Sequence, residues 1–168
     1  ALNFVKNAKS NNALSLEYMD SHSLRLLRTK YTSIPEKTSA MIYFEQDFKK
    51  ENEEALIDLW MGLLEKHNAF MEKSYFADSE KEREKLWEFR HALPEMINEI
   101  VKRNKLPKVG TDIAVPEKAF PAMFEFYKEK LAPSKIDYVI FGHMGESHMH
   151  VNMLPKTDEE FKKSRMIY

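Results

Sequence analysis

Two apolar spacings take turns along this chain, and their order limits the fold more than any other feature. Apolar residues recur every two positions in short segments and every three or four in longer ones. Strand-like and helix-like pieces therefore alternate. After a helix ending near Lys9, Ala13 to Met19 is a short apolar run suited to a strand, and Ser21 to Lys30 reads as a helix with Leu24 and Leu27 at helical spacing. Thr32 to Thr38, with Pro35, is a loop, and Ser39 to Phe48 alternates as a strand does. Glu51 to Lys66 carries Ala55, Leu56, Leu59, Trp60, Leu63 and Leu64 at three- and four-residue steps, which predicts an amphipathic helix. Phe70 to Phe76 predicts another strand. Ser79 with Glu82 forms a capping pattern for a long helix that should bend at Pro94 and resume to Asn104. Lys108 to Val115 is a strand, Glu117 to Leu131 a helix, Asp137 to Met144 and Ser147 to Leu154 two further strands, and Thr157 starts a last helix.

This order, two βαβ halves separated by a helical insert, predicts a ferredoxin-like α+β domain: an antiparallel sheet with helices on one face and a long helical insert. Residues 1–168 fit one domain. The chain starts at Ala1 inside what reads as a helix, so a fragment of a larger protein is expected. With 26 Lys plus Arg against 27 Asp plus Glu, the formal charge is -1, which argues against a general nucleic-acid binder. No run of about 18 apolar residues suggests a transmembrane segment. The lack of Cys excludes disulfides and thiolate chemistry and is compatible with a cytoplasmic setting.

Chemistry concentrates in one segment, Phe141-Gly142-His143-Met144-Gly145-Glu146-Ser147-His148-Met149-His150-Val151-Asn152. A two-residue turn at Gly145-Glu146 would pair His143 with His148, and alternation would add His150 and Asn152 to the same face. His143 and His150 would then be diagonal neighbours about 7–8 Å apart at the backbone. Two imidazoles at that separation can close on a metal about 2.0–2.1 Å from each nitrogen. The competing possibility is a solvated edge hairpin with incidental histidines. Arg90, beside Trp87 and Phe89 on the long helix, has the two-pronged geometry that clamps a carboxylate. It could equally pair with Glu84 or Glu95. Lys108 begins a strand and could face the same cleft, or be a surface lysine.

Together these segments resemble the C-terminal domain of FAD-linked oxidases of the vanillyl-alcohol-oxidase type, a family that includes D-lactate dehydrogenases, the glycolate oxidase large subunit and D-2-hydroxyglutarate dehydrogenase. Gly142-His143-Met144-Gly145-Glu146-Ser147-His148-Met149-His150-Val151-Asn152 is similar to that family's Gly-His-x-Gly-Asp-Gly-Asn-(apolar)-His-(apolar)-Asn, with Glu146, Ser147 and His148 departing from it. Trp87 and Arg90 match its Trp-x-x-Arg, Asp112 to Pro116 its Asp-(apolar)-x-(apolar)-Pro, and Leu14 to Asp20 its Ala-Leu-Glu-Phe-Met-Asp. The resemblance implies oxidation of a small D-2-hydroxy acid such as lactate or glycolate, with hydride passing to FAD. It implies catalytic and metal-binding roles for His143 and His150, with Zn or another divalent ion. Arg90 and Lys108 would contact the substrate carboxylate, and Asn152 would support substrate or metal. FAD would be held by a domain of the same polypeptide, so residues 1–168 alone are expected to be inactive. The whole protein could sit peripherally on a membrane. The family's later Glu-His-Gly motif, a further ligand and base, is not met before Tyr168.

Two alternatives belong to other classes. His148-Met149-His150-Val151-Asn152 is similar to the His-x-His-x-His of histidine-triad nucleotide hydrolases, with Asn at the third position. A non-catalytic ferredoxin-like ligand-binding module is the other.

Overall fold

A computed structural model describes residues 1–168. The elements in order are α1 (Leu2–Ser10), β1 (Ser15–Asp20), α2 (Ser21–Leu27), β2 (Ala40–Glu45), α3 (Glu53–Lys66), α4 (Glu80–Asn104), β3 (Val109–Ala114), α5 (Phe120–Leu131), β4 (Tyr138–His143), β5 (His148–Met153) and α6 (Asp158–Ile167). The five strands form one sheet in the order β2-β1-β4-β5-β3, and every pairing is antiparallel. This is the α+β architecture that the apolar spacings predict.

Helix ends follow local chemistry. The Asp20 side chain accepts from the Ser23 N–H at 2.7 Å and starts α2, Ser79 accepts from the Glu82 N–H at 3.4 Å and starts α4, and Thr157 accepts from the Glu160 N–H at 3.1 Å and starts α6. Each satisfies a donor that the first helical turn leaves free.

Strand alternation sends neighbouring residues to opposite faces of the sheet. Leu16, Tyr18, Ile140, Met149, Val151 and Met153 point to one face, where Phe4 and Val5 of α1, Trp60 of α3 and Phe120, Phe124 and Leu131 of α5 close the main core. Met19 and Val139 point the other way, into a second core made by Leu24 and Leu27 of α2 and Ala92, Leu93 and Ile97 of α4. Helices thus cover both faces rather than one. The reason lies in α2: its Leu24 and Leu27 are fully buried on the insert's side of the sheet.

One local expectation needs correction. Phe70 to Phe76 is not a strand but a loop with a single 3-10 turn at Met71–Lys73, and Phe70, Tyr75 and Phe76 are exposed. Alternating apolar residues make a strand only when an edge is available to hydrogen-bond, and this segment reaches none. The long helix runs uninterrupted from Glu80 to Asn104 through Pro94, so the loss of one internal hydrogen bond does not end it. Its face carrying Leu93 and Ile97 is packed on the second core, and that packing holds the helix across the proline.

Candidate functional site

The second face of the sheet is apolar only where α2 and the later part of α4 cover it. Beyond that, the same strands carry a polar row. Glu17 on β1 lies opposite Tyr43 on β2 and His143 on β4. On the far side, His150 on β5 lies opposite Phe141 on β4 and Asp112 on β3. The Phe141–His150 register is the one expected from the sequence, and carried on it sets His143 across from His148. The connection differs from a two-residue turn. Met144–Glu146 form a 3-10 turn with Met144 buried in the main core, and Ser147 takes a left-handed φ of 56°. Gly142 has a φ of 139°, and a Cβ there would stand 3.0 Å from both the His148 carbonyl and the His150 ring. Only glycine lets β4 pass this close to the histidine strand.

His143, His148 and His150 share this face, with ring centroids separated by 5.5 Å (His143 to His148), 5.6 Å (His143 to His150) and 4.9 Å (His148 to His150). Two carboxylates organise them. Glu17, whose side chain is only 10% exposed, accepts from Arg90 Nη2 at 2.6 Å and from His143 Nδ1 at 2.7 Å, both on Oε1. A buried carboxylate needs such partners, since an unpaired charge away from water is costly. An ionised carboxylate only accepts, so Nδ1 carries a His143 proton, and in the neutral ring this leaves Nε2 with a lone pair. Asp112 Oδ1 accepts from His148 Nε2 and also lies 3.1 Å from His150 Nδ1. The hydrogen bond with His148, aided by the charges of His150, His148 and His143, holds the Asp112 carboxyl below its ordinary range. Burial pulls His150 below the usual imidazole value, against the opposite pull of Asp112. Its neutral form therefore predominates at pH 7.

The other predicted residues are placed as follows. Arg90 reaches the row from α4, with its guanidinium on Glu17 rather than on Glu84 or Glu95. Asn152 is buried on the same face, two residues beyond His150. It lies against Gly110, where a Cβ would approach its Oδ1 to 2.9 Å and the Val151 carbonyl to 2.8 Å. Lys108 is exposed just before β3 and makes no ion pair. It stands four positions before Asp112, about 13 Å along a strand.

Glu17 and Asp112 are the site's organising residues; both lie in segments that resemble the family, Leu14 to Asp20 and Asp112 to Pro116, but neither is given a role there. The available signal is a charge inside an otherwise apolar strand for Glu17. For Asp112 it is a two-residue offset from Gly110.

The site thus defined is a histidine-rich polar patch on an antiparallel α+β sheet, with a guanidinium reaching it from a helical insert. Residues 1–167 match the family described as FAD linked oxidases, C-terminal domain, and the chain belongs to that family. It is also similar to a D-lactate dehydrogenase [cytochrome] 1, mitochondrial, from Saccharomyces cerevisiae, 32% identical over 87 residues. That stretch covers 51% of this chain and 15% of the yeast protein. The histidine-triad alternative has no such support.

Proposed function

We propose that this chain is the substrate-side domain of an FAD-dependent oxidoreductase that oxidises a small D-2-hydroxy acid. The observation that carries the reading is the convergence of Arg90 and His143 on the buried Glu17, beside the Asp112–His148–His150 cluster. The membership in the FAD linked oxidase family and the D-lactate dehydrogenase likeness support it.

The four glycines lie in α3 (Gly62), on strands (Gly110, Gly142) and in the turn (Gly145), so none forms a glycine-rich loop at a helix start that would cradle a pyrophosphate. FAD is therefore assigned to a companion domain, and it supplies acceptance of the substrate hydride.

The residues of this chain bind and deprotonate. Arg90 uses Nη2 on Glu17 and keeps donors of its fork for a carboxylate. His143, its Nδ1 proton held by Glu17, offers the Nε2 lone pair to the substrate hydroxyl and takes that proton as the C–H hydride leaves. Glu17 then faces an imidazolium, which it stabilises while fixing the ring's orientation. Asn152, on the same face as His150, offers its amide to the polar part of the substrate. The resemblance gives a divalent ion to His143 and His150; with Nε2 of His143 on that ion, the ion would take over activation of the hydroxyl from the ring. Such an ion would lower the pKa of a bound hydroxyl. The chain's histidines and Asp112 are the donor types that suit it.

The test is oxidation of D-lactate and glycolate by this domain joined to its FAD-binding partner, with a dye as electron acceptor. Arg90→Lys should raise KM for the acid at least about tenfold, because a point charge replaces a two-pronged donor. Wild-type enzyme that turns over neither acid nor any other 2-hydroxy acid would refute the proposal.

A further inference from the structure

We propose that Tyr43 is a second carboxylate-binding residue of this site, its hydroxyl turning from Glu45 to the acid that Arg90 clamps. This role rests on the proposed function. Tyr43 on β2 stands directly opposite Glu17 on β1, and Glu17 stands opposite His143 on β4. Opposed residues of an antiparallel pair hold their Cβ atoms about 4.5–5.5 Å apart. Tyr43 is therefore beside the carboxylate on which Arg90 Nη2 rests at 2.6 Å. The Arg90 side chain is partly exposed and Tyr43 is half-buried, so an acid taking the free donors of Arg90 meets the phenol at this end of the polar row.

The phenol has a proton to give. Burial, and after it the hydrogen bond to Glu45, pushes its pKa up to about 12, so the hydroxyl is protonated at pH 7. That proton is donated to Glu45, which is exposed. A solvated carboxylate competes weakly for it against a carboxylate fixed by a guanidinium.

A second observation shows where Glu45 goes. Ser15 stands directly opposite Glu45 on the same face of the sheet, and its Oγ is buried with no hydrogen-bond partner. Buried hydroxyls are normally satisfied. When Glu45 leaves Tyr43, the Ser15 hydroxyl can donate to it. No hydrogen bond is lost in the exchange, and an orphaned group is satisfied by it.

Two donors from different elements, Arg90 on α4 and Tyr43 on β2, then fix the plane of the carboxylate as well as its position. The 2-hydroxyl is left toward His143, on the other side of Glu17.

The experiment uses the domain joined to its FAD-binding partner and changes each end of the Tyr43–Glu45 hydrogen bond in turn. Tyr43→Phe keeps the ring and should raise KM for the acid about tenfold, the scale of one hydrogen bond to a charged group, with kcat within about twofold. Glu45→Gln removes the competing charge and should lower KM or leave it within about twofold. A merely structural pair would respond differently, both substitutions raising KM alike. Calorimetric binding of 2-hydroxy-2-methylpropanoate, which has no hydrogen to lose from its hydroxyl carbon, should also weaken about tenfold in Tyr43→Phe. This inert analogue separates the two readings. Wild-type protein that binds it, loses affinity with Tyr43→Phe and oxidises no 2-hydroxy acid keeps the role of Tyr43 and ends the proposed function. Turnover with KM and analogue affinity unchanged in Tyr43→Phe, or with an equal rise in KM in Glu45→Gln, overturns the role of Tyr43 and leaves the proposed function standing. Wild-type protein that neither binds the analogue nor oxidises an acid overturns both.

Discussion

The two faces of the sheet are built from alternate residues of the same strands, and they are put to opposite uses. On one face Leu16, Tyr18, Ile140, Met149, Val151 and Met153 meet three helices in a continuous apolar core. On the other, Tyr43, Glu17, His143, His148, His150 and Asp112 form a polar row that only α4 approaches, through Arg90. Met149 is flanked by His148 and His150, so stability and chemistry are one residue apart along β5. A strand packed on one side is rigid enough to hold the groups on its other side in a fixed geometry.

This contrast can be broken most forcefully from the apolar side. Met149 is fully buried, and Met149→Ala should lower unfolding free energy by about 2–5 kcal/mol, the cost of a core cavity. Urea denaturation measures it. If the two faces are separable, the folded fraction, joined to its FAD-binding partner, should keep the wild-type KM for the acid. A loss under about 1 kcal/mol would show that the core is far looser there than full burial implies.

A smaller effect is expected at the junction of helix and polar row. Arg90→Ala leaves Glu17 buried with His143 as its one remaining partner. Removing one member of a fully buried pair costs about 3–5 kcal/mol, and the 29% exposure of the Arg90 side chain reduces this, to about 1–3 kcal/mol. The double variant Arg90→Ala with Glu17→Gln should recover part of the loss, since the stranded charge is gone. No recovery would mean that Arg90 stabilises through its stem rather than through the pair.

The smallest effect sharpens the comparison by pH. Asp20 ends β1 and caps α2, and burial pushes its carboxyl above the ordinary carboxylate value against the hydrogen bonds from Ser23. The folded chain then holds that proton more tightly than the unfolded chain does. Its contribution is fully present below about pH 3.9 and is lost as pH rises through the raised folded value. Asp20→Asn keeps the cap without the titration, so wild-type stability minus that of the variant should fall with rising pH. Asp112, held low on the polar row, has the opposite sign: its contribution is present above the unfolded carboxylate value and fades as pH falls through the lowered one. A difference for Asp20 that grew with pH would show that its carboxylate, not its acid form, is the one the fold prefers.

Much of this was legible in the chain itself. Alternation and helical spacing marked out all five strands and the long insert, because side-chain direction follows from backbone geometry residue by residue. The hairpin register that sets His143, His148 and His150 on one face was legible too, since β4 and β5 are joined by a short turn and local sequence determines their pairing. The false strand at Phe70 to Phe76 shows the limit of that local logic, because a strand also needs a neighbour.

What only the tertiary structure decided is which distant groups meet those histidines. Glu17 lies 126 residues from His143 and 73 from Arg90, and Asp112 lies 36 residues from His148. No periodicity within a segment specifies the order β2-β1-β4-β5-β3 that makes them neighbours. The physical reason is that strand order is settled by the shared burial of both sheet faces, which is a property of the whole chain. The polar row is assembled by that burial.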